Sequence, residues 1–140
     1  MADQQPIFDV LIIGAGAAGL TAGIYCSRKK LKNLIISLDI GGQTNLTNHI
    51  ENYPGTGALT GTDLMQRFHS EAIKFGTEFL MAQVNKVEKM EGNPGGFAIS
   101  TTDGNSFSSK SVILAFGAMP KLLGVPGEDK FFGRGISTCT

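Results

Sequence analysis

Hydrophobic residues form two uninterrupted runs in the first third of the chain, without alternating polar positions. Val10 to Ile13 is the first run, and the second lies within a strand predicted over Leu31 to Ile36. Runs of this kind are typical of parallel strands that are buried on both faces. Between them, Ala17 to about Lys30 contains three alanines and no proline, which predicts a helix despite Gly23. The pattern indicates a strand–helix–strand unit.

The hydrophobic pattern then takes the spacing of a second helix. We expect Thr62 or Asp63 to cap this helix and Gly76 to end it. Its apolar residues recur at i, i+4, i+8 and i+11, which predicts one core-facing stripe. The stripe consists of Leu64, Phe68, Ala72 and Phe75. His69 lies beside it, and we interpret it as a helix-surface residue.

From Thr77 onwards the period of the apolar positions becomes two, which favours strands. We predict a short strand over Glu78 to Met81, followed by a three-stranded antiparallel meander. Asp103-Gly104 is a typical hairpin turn within the meander. Val112 to Ala115 is again continuously apolar and predicts a further, fully buried strand. Glycine and proline recur after Met119, which predicts that the last residues form a linker.

Composition restricts the class of protein. The 140 residues include 12 basic and 12 acidic ones, so the net charge gives no reason to expect a nucleic-acid or membrane partner. No apolar run approaches the ~20 residues that span a bilayer, and the polar N-terminus lacks signal-peptide character. Cys26 and Cys139 do not form a disulfide framework, which favours a cytoplasmic protein, and Cys26 is expected to be a small buried residue. We predict no metal site.

The clearest chemical motif is a glycine turn, Gly14-Ala15-Gly16-Ala17-Ala18-Gly19, directly after the first apolar run. In the G-x-G-x-x-G spacing, Gly14 allows the tight turn, Gly16 lets a pyrophosphate approach the backbone, and Gly19 lets helix and strand pack closely. The following helix N-terminus offers unpaired N–H groups to phosphates. The alternative is a glycine turn in another kind of α/β protein.

Two further stretches are candidates for ligand contact. Asp39 lies twenty residues after Gly19, where a carboxylate can bind ribose hydroxyls; the alternative is a solvated loop residue. Ile40 to Gly61 shows little periodicity, and long loops in compact domains are usually functional. Its polar part, Gln43 to Asn48, suits a ring edge with carbonyls and nitrogens, although an ordinary solvated loop is the alternative. The small residues after Leu114 would lie beside the glycine turn.

Together these segments resemble the N-terminal part of a bacterial-type thioredoxin reductase. The most specific matches are Gly41-Gly42-Gln43 and, at the expected distance, Glu51-Asn52-Tyr53-Pro54-Gly55. Gly124-Val125-Pro126-Gly127-Glu128 and the stretch from Phe131 to Cys139 also match. Phe116 departs from the family, which usually has threonine there, so any hydroxyl contact at that point is lost.

The resemblance implies a Rossmann-like FAD-binding domain with a parallel sheet and the inserted meander, incomplete at its C-terminus. FAD would be held non-covalently, NADPH would be the reductant at a site outside this chain, and a thioredoxin-like protein would be the partner of a homodimeric enzyme. Cys139 would be the first cysteine of the redox pair. The implied FAD-binding residues are Gly14, Ala15, Gly16, Ala17, Ala18, Gly19, Asp39, Gly41, Gly42, Gln43, Asn52, Val84, Ala115 and Gly117.

We therefore expect residues 1–117 to be the first part of the FAD-binding domain and residues 118–140 to be a linker toward an NADPH-binding domain. The family's second cysteine, three residues after Cys139, is not in the sequence, so we expect this chain to be inactive by itself. Two alternatives stay open. One is a non-catalytic dinucleotide-binding module, and the other is a related flavin enzyme that passes electrons to ferredoxin or to a peroxide-reducing partner; Cys139 disfavours the ferredoxin type.

Overall fold

A computed structural model describes residues 7–92, 95–119 and 121–137. Six strands and three helices lie in these ranges, together with a 3-10 turn over Gly42–Leu46. The strands are β1 (Phe8–Ile13), β2 (Asn33–Ser37), β3 (Glu78–Met81), β4 (Val84–Met90), β5 (Gly96–Thr101) and β6 (Ser106–Leu114). The helices are α1 (Ala17–Arg28), α2 (Gly61–Phe75) and α3 (Glu128–Phe131). None of the helices in the described ranges is both long and apolar enough to cross a membrane.

The strands form one sheet in the order β3-β2-β1-β6-β5-β4. β1 is parallel to both β2 and β6, and β2 is parallel to β3. β4, β5 and the first part of β6 form the antiparallel meander. The α/β class and the inserted three-stranded meander predicted from the sequence are confirmed.

Residues of β1 alternate between two cores. Val10 and Ile12 pack with α1 and α2 on one face of the sheet. Leu11 and Ile13 pack on the other face against the meander, where Ile99 is fully buried. Burial of one aliphatic side chain stabilises a fold by about 1.5–3 kcal/mol, so β1 anchors both layers. This two-sided burial explains why its sequence shows no polar alternation.

β6 differs from the prediction because one continuous strand replaces two. Its first part pairs with β5 and its second part pairs with β1, and Ser109 belongs to both registers. The residues after Ser109 are not fully buried, contrary to the prediction: Leu114 is 61% exposed, and Ile113 is also exposed. β5 leaves β6 at Ser109, so in the described part of the chain the end of β6 is a sheet edge.

Three predictions about α2 also need correction. The helix is capped by Thr60, whose Oγ1 accepts a hydrogen bond from the Asp63 N–H, and not by Thr62 or Asp63. Phe75 is on the predicted face but is 46% exposed, because it lies in the last turn where the described residues leave that face uncovered. His69 is half-buried, because β3 brings the Phe79 ring edge-on against it with centroids 4.9 Å apart.

Candidate functional site

The glycine turn lies between β1 and α1, where the end of β6 passes over it. Gly14 has a φ of +104°, and a Cβ at this position would lie 2.3 Å from the carbonyl oxygen of Ala115. A Cβ at Gly19 would lie 1.9 Å from the carbonyl oxygen of Gly14. Since real Cβ atoms do not approach oxygen so closely, both glycines are required by the fold itself. The predicted roles of Gly14 in the turn and Gly19 in close packing agree with this geometry.

Gly16 has a different environment: apart from Gly16 itself and its two chain neighbours, no atom of the described residues lies within 4 Å of the position that its Cβ would occupy. It is the N-cap residue of α1, and no side chain caps the helix. The first turn of α1 also contains no acidic residue. The amide donors at this helix end, with the positive end of the helix dipole, therefore meet open space, which is the arrangement that binds phosphate groups.

The residues after β2 are tied to the glycine turn; residues 38–47 are called the β2 loop below. Ala15 N–H donates to the Oγ of Ser37 at 3.1 Å, and Gly41 N–H donates to the Ala15 carbonyl at 2.8 Å. These bonds hold the β2 loop beside the turn at the carboxyl ends of the strands. The space between the glycine turn, the β2 loop and residues 115–118 is called the crevice.

Asp39 lies two residues beyond the end of β2 and is exposed. One of its carboxylate oxygens accepts a hydrogen bond from the Gly42 N–H at 3.3 Å. The second oxygen is available for another donor. Its position past the strand end fits both interpretations of the sequence, a ribose ligand and a solvated loop residue.

Part of the polar stretch after Gly42 stabilises the β2 loop itself. Asn45 donates through Nδ2 to the Ile40 carbonyl at 2.7 Å. Gly41, with a φ of +104°, packs so closely on this side chain that a Cβ would lie 2.3 Å from the Asn45 Oδ1. Sequence reasoning missed these supporting roles of Asn45 and Ser37. For Ser37 the available signal was a polar residue directly after the apolar run of β2.

The predicted site residues fall into two groups. The structure brings most of them together around the crevice, at the carboxyl ends of β1, β2 and β6. Asn52 is exposed between the paired residues Ile50 and Leu59, and Val84 packs beside the core under the meander. The described contacts do not bring these two to the glycine turn. Cys139 lies outside the described residues.

Cys26 is not part of the crevice. It is buried in α1, as predicted, and packs in the core between the helices and the sheet. Burial raises the pKa of its thiol, because the charged thiolate loses solvation. A buried thiol with a raised pKa is a structural residue and a poor nucleophile.

Comparison with known proteins identifies the family of this chain. Residues 8–140 match the family described as pyridine nucleotide-disulphide oxidoreductase. The chain belongs to this family. Thioredoxin reductase from Helicobacter pylori is 39% identical over 136 residues, which cover 95% of this chain and 43% of the relative. Thioredoxin reductase from Bacillus subtilis is 39% identical over 137 residues, which cover 97% and 42%.

Solved structures extend the likeness to the fold. The crystal structure of thioredoxin reductase from Streptococcus pyogenes superposes with a TM-score of 0.81 at 39% identity, covering 97% of this chain and 44% of that chain. The Lactococcus lactis thioredoxin reductase superposes with a TM-score of 0.78 at 36% identity, covering 93% and 42%. The chain thus spans less than half the length of these relatives.

The residues present fit the FAD that this likeness implies. A pyrophosphate needs bare backbone and free N–H donors, and the open position at Gly16 beside the uncapped end of α1 offers both. No acidic residue in the first helical turn opposes the phosphate charge. The crevice also lies outside the carboxyl ends of parallel strands, where ligands of open α/β sheets bind.

Proposed function

We propose that this chain is the FAD-binding part of a thioredoxin-disulfide reductase. The observation that carries the proposal is the Gly16 position, where backbone and helix N-terminus face space that no other atom of the described chain enters. A turn required only for chain folding would need Gly14 and Gly19 but not a third glycine at this open position. The names of the relatives support the choice of enzyme.

In this proposal the glycine turn binds the pyrophosphate through backbone N–H groups. Asp39 would accept hydrogen bonds from ribose hydroxyls, and Gln43 would offer both donors and an acceptor to a polar ring edge. FAD, when bound, supplies a group that accepts a hydride from NADPH and delivers electrons to a disulfide. Cys139 would be one sulfur of that disulfide. Once the disulfide is reduced to two thiols, these would reduce the disulfide of thioredoxin or a similar protein by thiol–disulfide exchange and return to the disulfide form.

The wider assignments follow from the same proposal. We assign residues 1–117 to the FAD-binding domain and residues 118–140 to a linker toward the NADPH-binding domain. A homodimer in the cytoplasm, where thiols are kept reduced, is the setting we propose for the complete enzyme. Asn52 and Val84 remain proposed FAD contacts.

The test is titration of the purified chain with FAD, followed by the quenching of flavin fluorescence. We expect saturable binding by the native sequence and its loss in Gly16→Val, whose branched side chain would occupy the pyrophosphate space. Because no side chain or backbone of the described residues other than the chain neighbours of Gly16 enters that space, the variant should keep its circular dichroism spectrum and most of its stability.

A matched control places the same bulk elsewhere. Ser106 is exposed at the opposite end of β6, and Ser106→Val should bind FAD as the native chain does. Equal FAD affinity in Gly16→Val and the native chain would show that the turn is purely structural. No saturable signal from FAD or another adenine dinucleotide with the native chain would refute the proposed function.

A further inference from the structure

One side chain links the crevice to the segment that follows β6. Gln43 donates through Nε2 to the carbonyl oxygen of Ala118, 75 residues away in the sequence. Residues 116–119 and 121–136 are called the exit segment below. Within these described residues, no other hydrogen bond reaches the rest of the fold; the remaining ones join residues of the exit segment to each other.

The exit segment has internal structure but little attachment. The carboxylate of Glu128 is buried and accepts hydrogen bonds from the Leu123 and Gly124 N–H groups at 2.9 and 2.7 Å. By contrast, Phe116 is 68% exposed and Met119 is 92% exposed. These apolar side chains therefore contribute little to holding the segment against the sheet, and among residues 116–119 and 121–136 the bond from Gln43 is the hydrogen bond that reaches the rest of the fold.

Backbone hydrogen bonds tie the stretch that carries Gln43 to the crevice, and the Gln43 side chain itself is exposed. Gln43 comes two residues after Gly41, whose N–H donates to the Ala15 carbonyl in the glycine turn. It is the second residue of the 3-10 turn, in which Asn45 donates to the Ile40 carbonyl. A continuous path of short contacts thus runs from the glycine turn through Gln43 to Ala118. A carboxamide has two N–H donors and one acceptor oxygen, so a residue that uses one donor on Ala118 can also bind a ligand.

We propose that Gln43 is a positioning residue that sets the direction of the exit segment and couples it to a ligand in the crevice. The coupling rests on the proposed FAD function, whereas the restraint on the segment does not. A ligand that holds the Gln43 carboxamide in place strengthens its bond to Ala118. By linkage, the loss of that bond weakens the ligand by the same factor.

The first experiment uses the chain without added ligand. Gln43→Met keeps the side-chain length and removes the donor, and Gln43→Glu keeps the shape but presents a carboxylate to the Ala118 carbonyl. Readouts are tryptic cleavage after the exposed Lys121 and amide hydrogen exchange at Met119. We expect both to rise about fivefold, the effect of one lost hydrogen bond. Gln66→Glu, on the exposed face of α2, should change neither. Unchanged cleavage and exchange in both Gln43 variants would overturn the restraint.

The second experiment adds saturating FAD. We expect FAD to slow cleavage and exchange about fivefold in the native chain and in Gln66→Glu, but not in Gln43→Met, which should bind FAD correspondingly more weakly. Equal protection by FAD in Gln43→Met, or binding without protection in the native chain, would overturn the coupling. If FAD does not bind the native chain while the first experiment succeeds, the proposed FAD function and the coupling fail and the positioning role of Gln43 stands.

Discussion

The backbone N–H of Gly41 donates to the carbonyl of Ala15 at 2.8 Å, joining the loop after β2 to the glycine turn after β1. Ala15 in turn donates its own N–H to Ser37 Oγ, so its peptide groups are satisfied by the neighbouring strand's loop. The glycine turn is therefore fixed by hydrogen bonds to a second chain segment. The bonding groups lie beside the turn and leave the position next to Gly16 open.

Two glycines of the turn, Gly16 and Gly19, should respond differently to substitution by alanine. Gly19→Ala should lower the free energy of unfolding by about 1–3 kcal/mol or more, because its Cβ would overlap the Gly14 carbonyl oxygen. Gly16→Ala should cost less, about 0.5–1 kcal/mol, because its Cβ meets open space among the described residues and only the preference for glycine over alanine at the N-cap is lost. Urea unfolding followed by circular dichroism measures both. Equal losses in the two variants would contradict the assigned geometry.

The start of α2 depends on a reciprocal cap. Thr60 accepts a hydrogen bond from the Asp63 N–H at 3.1 Å and donates its hydroxyl to the Asp63 carboxylate at 2.7 Å. Thr60→Ala should therefore cost about 1 kcal/mol of stability. Thr62→Ala, an exposed change within the first turn, is the matched control and should cost much less. A larger loss at Thr62 would restore the original sequence-based assignment of the cap.

The second residue after α1 has a strained backbone. Lys30 has a φ of +59°, while its N–H bonds to the Ser27 carbonyl and Leu31 N–H bonds to Cys26, as at many helix ends that carry glycine. The left-handed conformation costs a residue with a side chain about 1–2 kcal/mol, and glycine avoids this cost. Glycine loses part of that gain, because its unfolded state has more conformational entropy. Lys30→Gly should thus stabilise the chain by about 0.5–1 kcal/mol in thermal unfolding. Lys29→Gly, at the preceding position with a negative φ, should destabilise it instead.

Acid should weaken the contact between the starts of β1 and the parallel part of β6. The Lys110 side-chain hydrogen bond, followed by the Lys32 backbone N–H, lowers the pKa of Asp9 below its ordinary 3.8. A lowered folded-state pKa means that the unfolded chain binds the proton more readily. The stabilisation is therefore complete above the ordinary pKa and is lost as the pH falls through the lower, folded-state value.

Unfolding midpoints measured between about pH 6 and pH 2 should show this difference. The native chain should lose more stability toward acid than Asp9→Asn, which has no carboxylate to protonate. Asp129→Asn, in the exposed first turn of α3, serves as the control and should retain the native pH dependence. Parallel curves for the native chain and Asp9→Asn would contradict the assigned pKa shift.

The 140 residues by themselves should not reduce disulfides with NADPH. The exchange cycle needs two neighbouring thiols, and the cysteines of the sequence are Cys26 and Cys139. Cys26 is buried in α1 with a raised pKa and does not serve as the second thiol. NADPH oxidation with thioredoxin or a disulfide dye is the measurement. Cys26→Ala should bind FAD as the native chain does, and steady turnover by either chain would refute the assignment.

Local patterns were sufficient for most of the elements. Continuous apolar runs marked β1 and β2, the change of period located β3 at its observed bounds, and glycine at 76 ended α2 with a φ of +102°. These features depend on side chains close together in the sequence, so the sequence carries them directly. The order Gly14, Gly16, Gly19 likewise predicted three different roles, two of which depend on the glycine turn's own backbone and the end of β6.

The tertiary structure decided what the sequence left open, because these features depend on residues far apart in the chain. β6 became one strand with two registers only because β1 and β5 both pair at Ser109, and its exposed end follows from where β5 leaves. His69 is half-buried because β3 places Phe79 against it. The bond from Gln43 to Ala118 spans 75 residues, and no local period encodes such a distance. The sequence by itself determined most of the elements and the glycine turn, whereas packing determined which loops surround that turn.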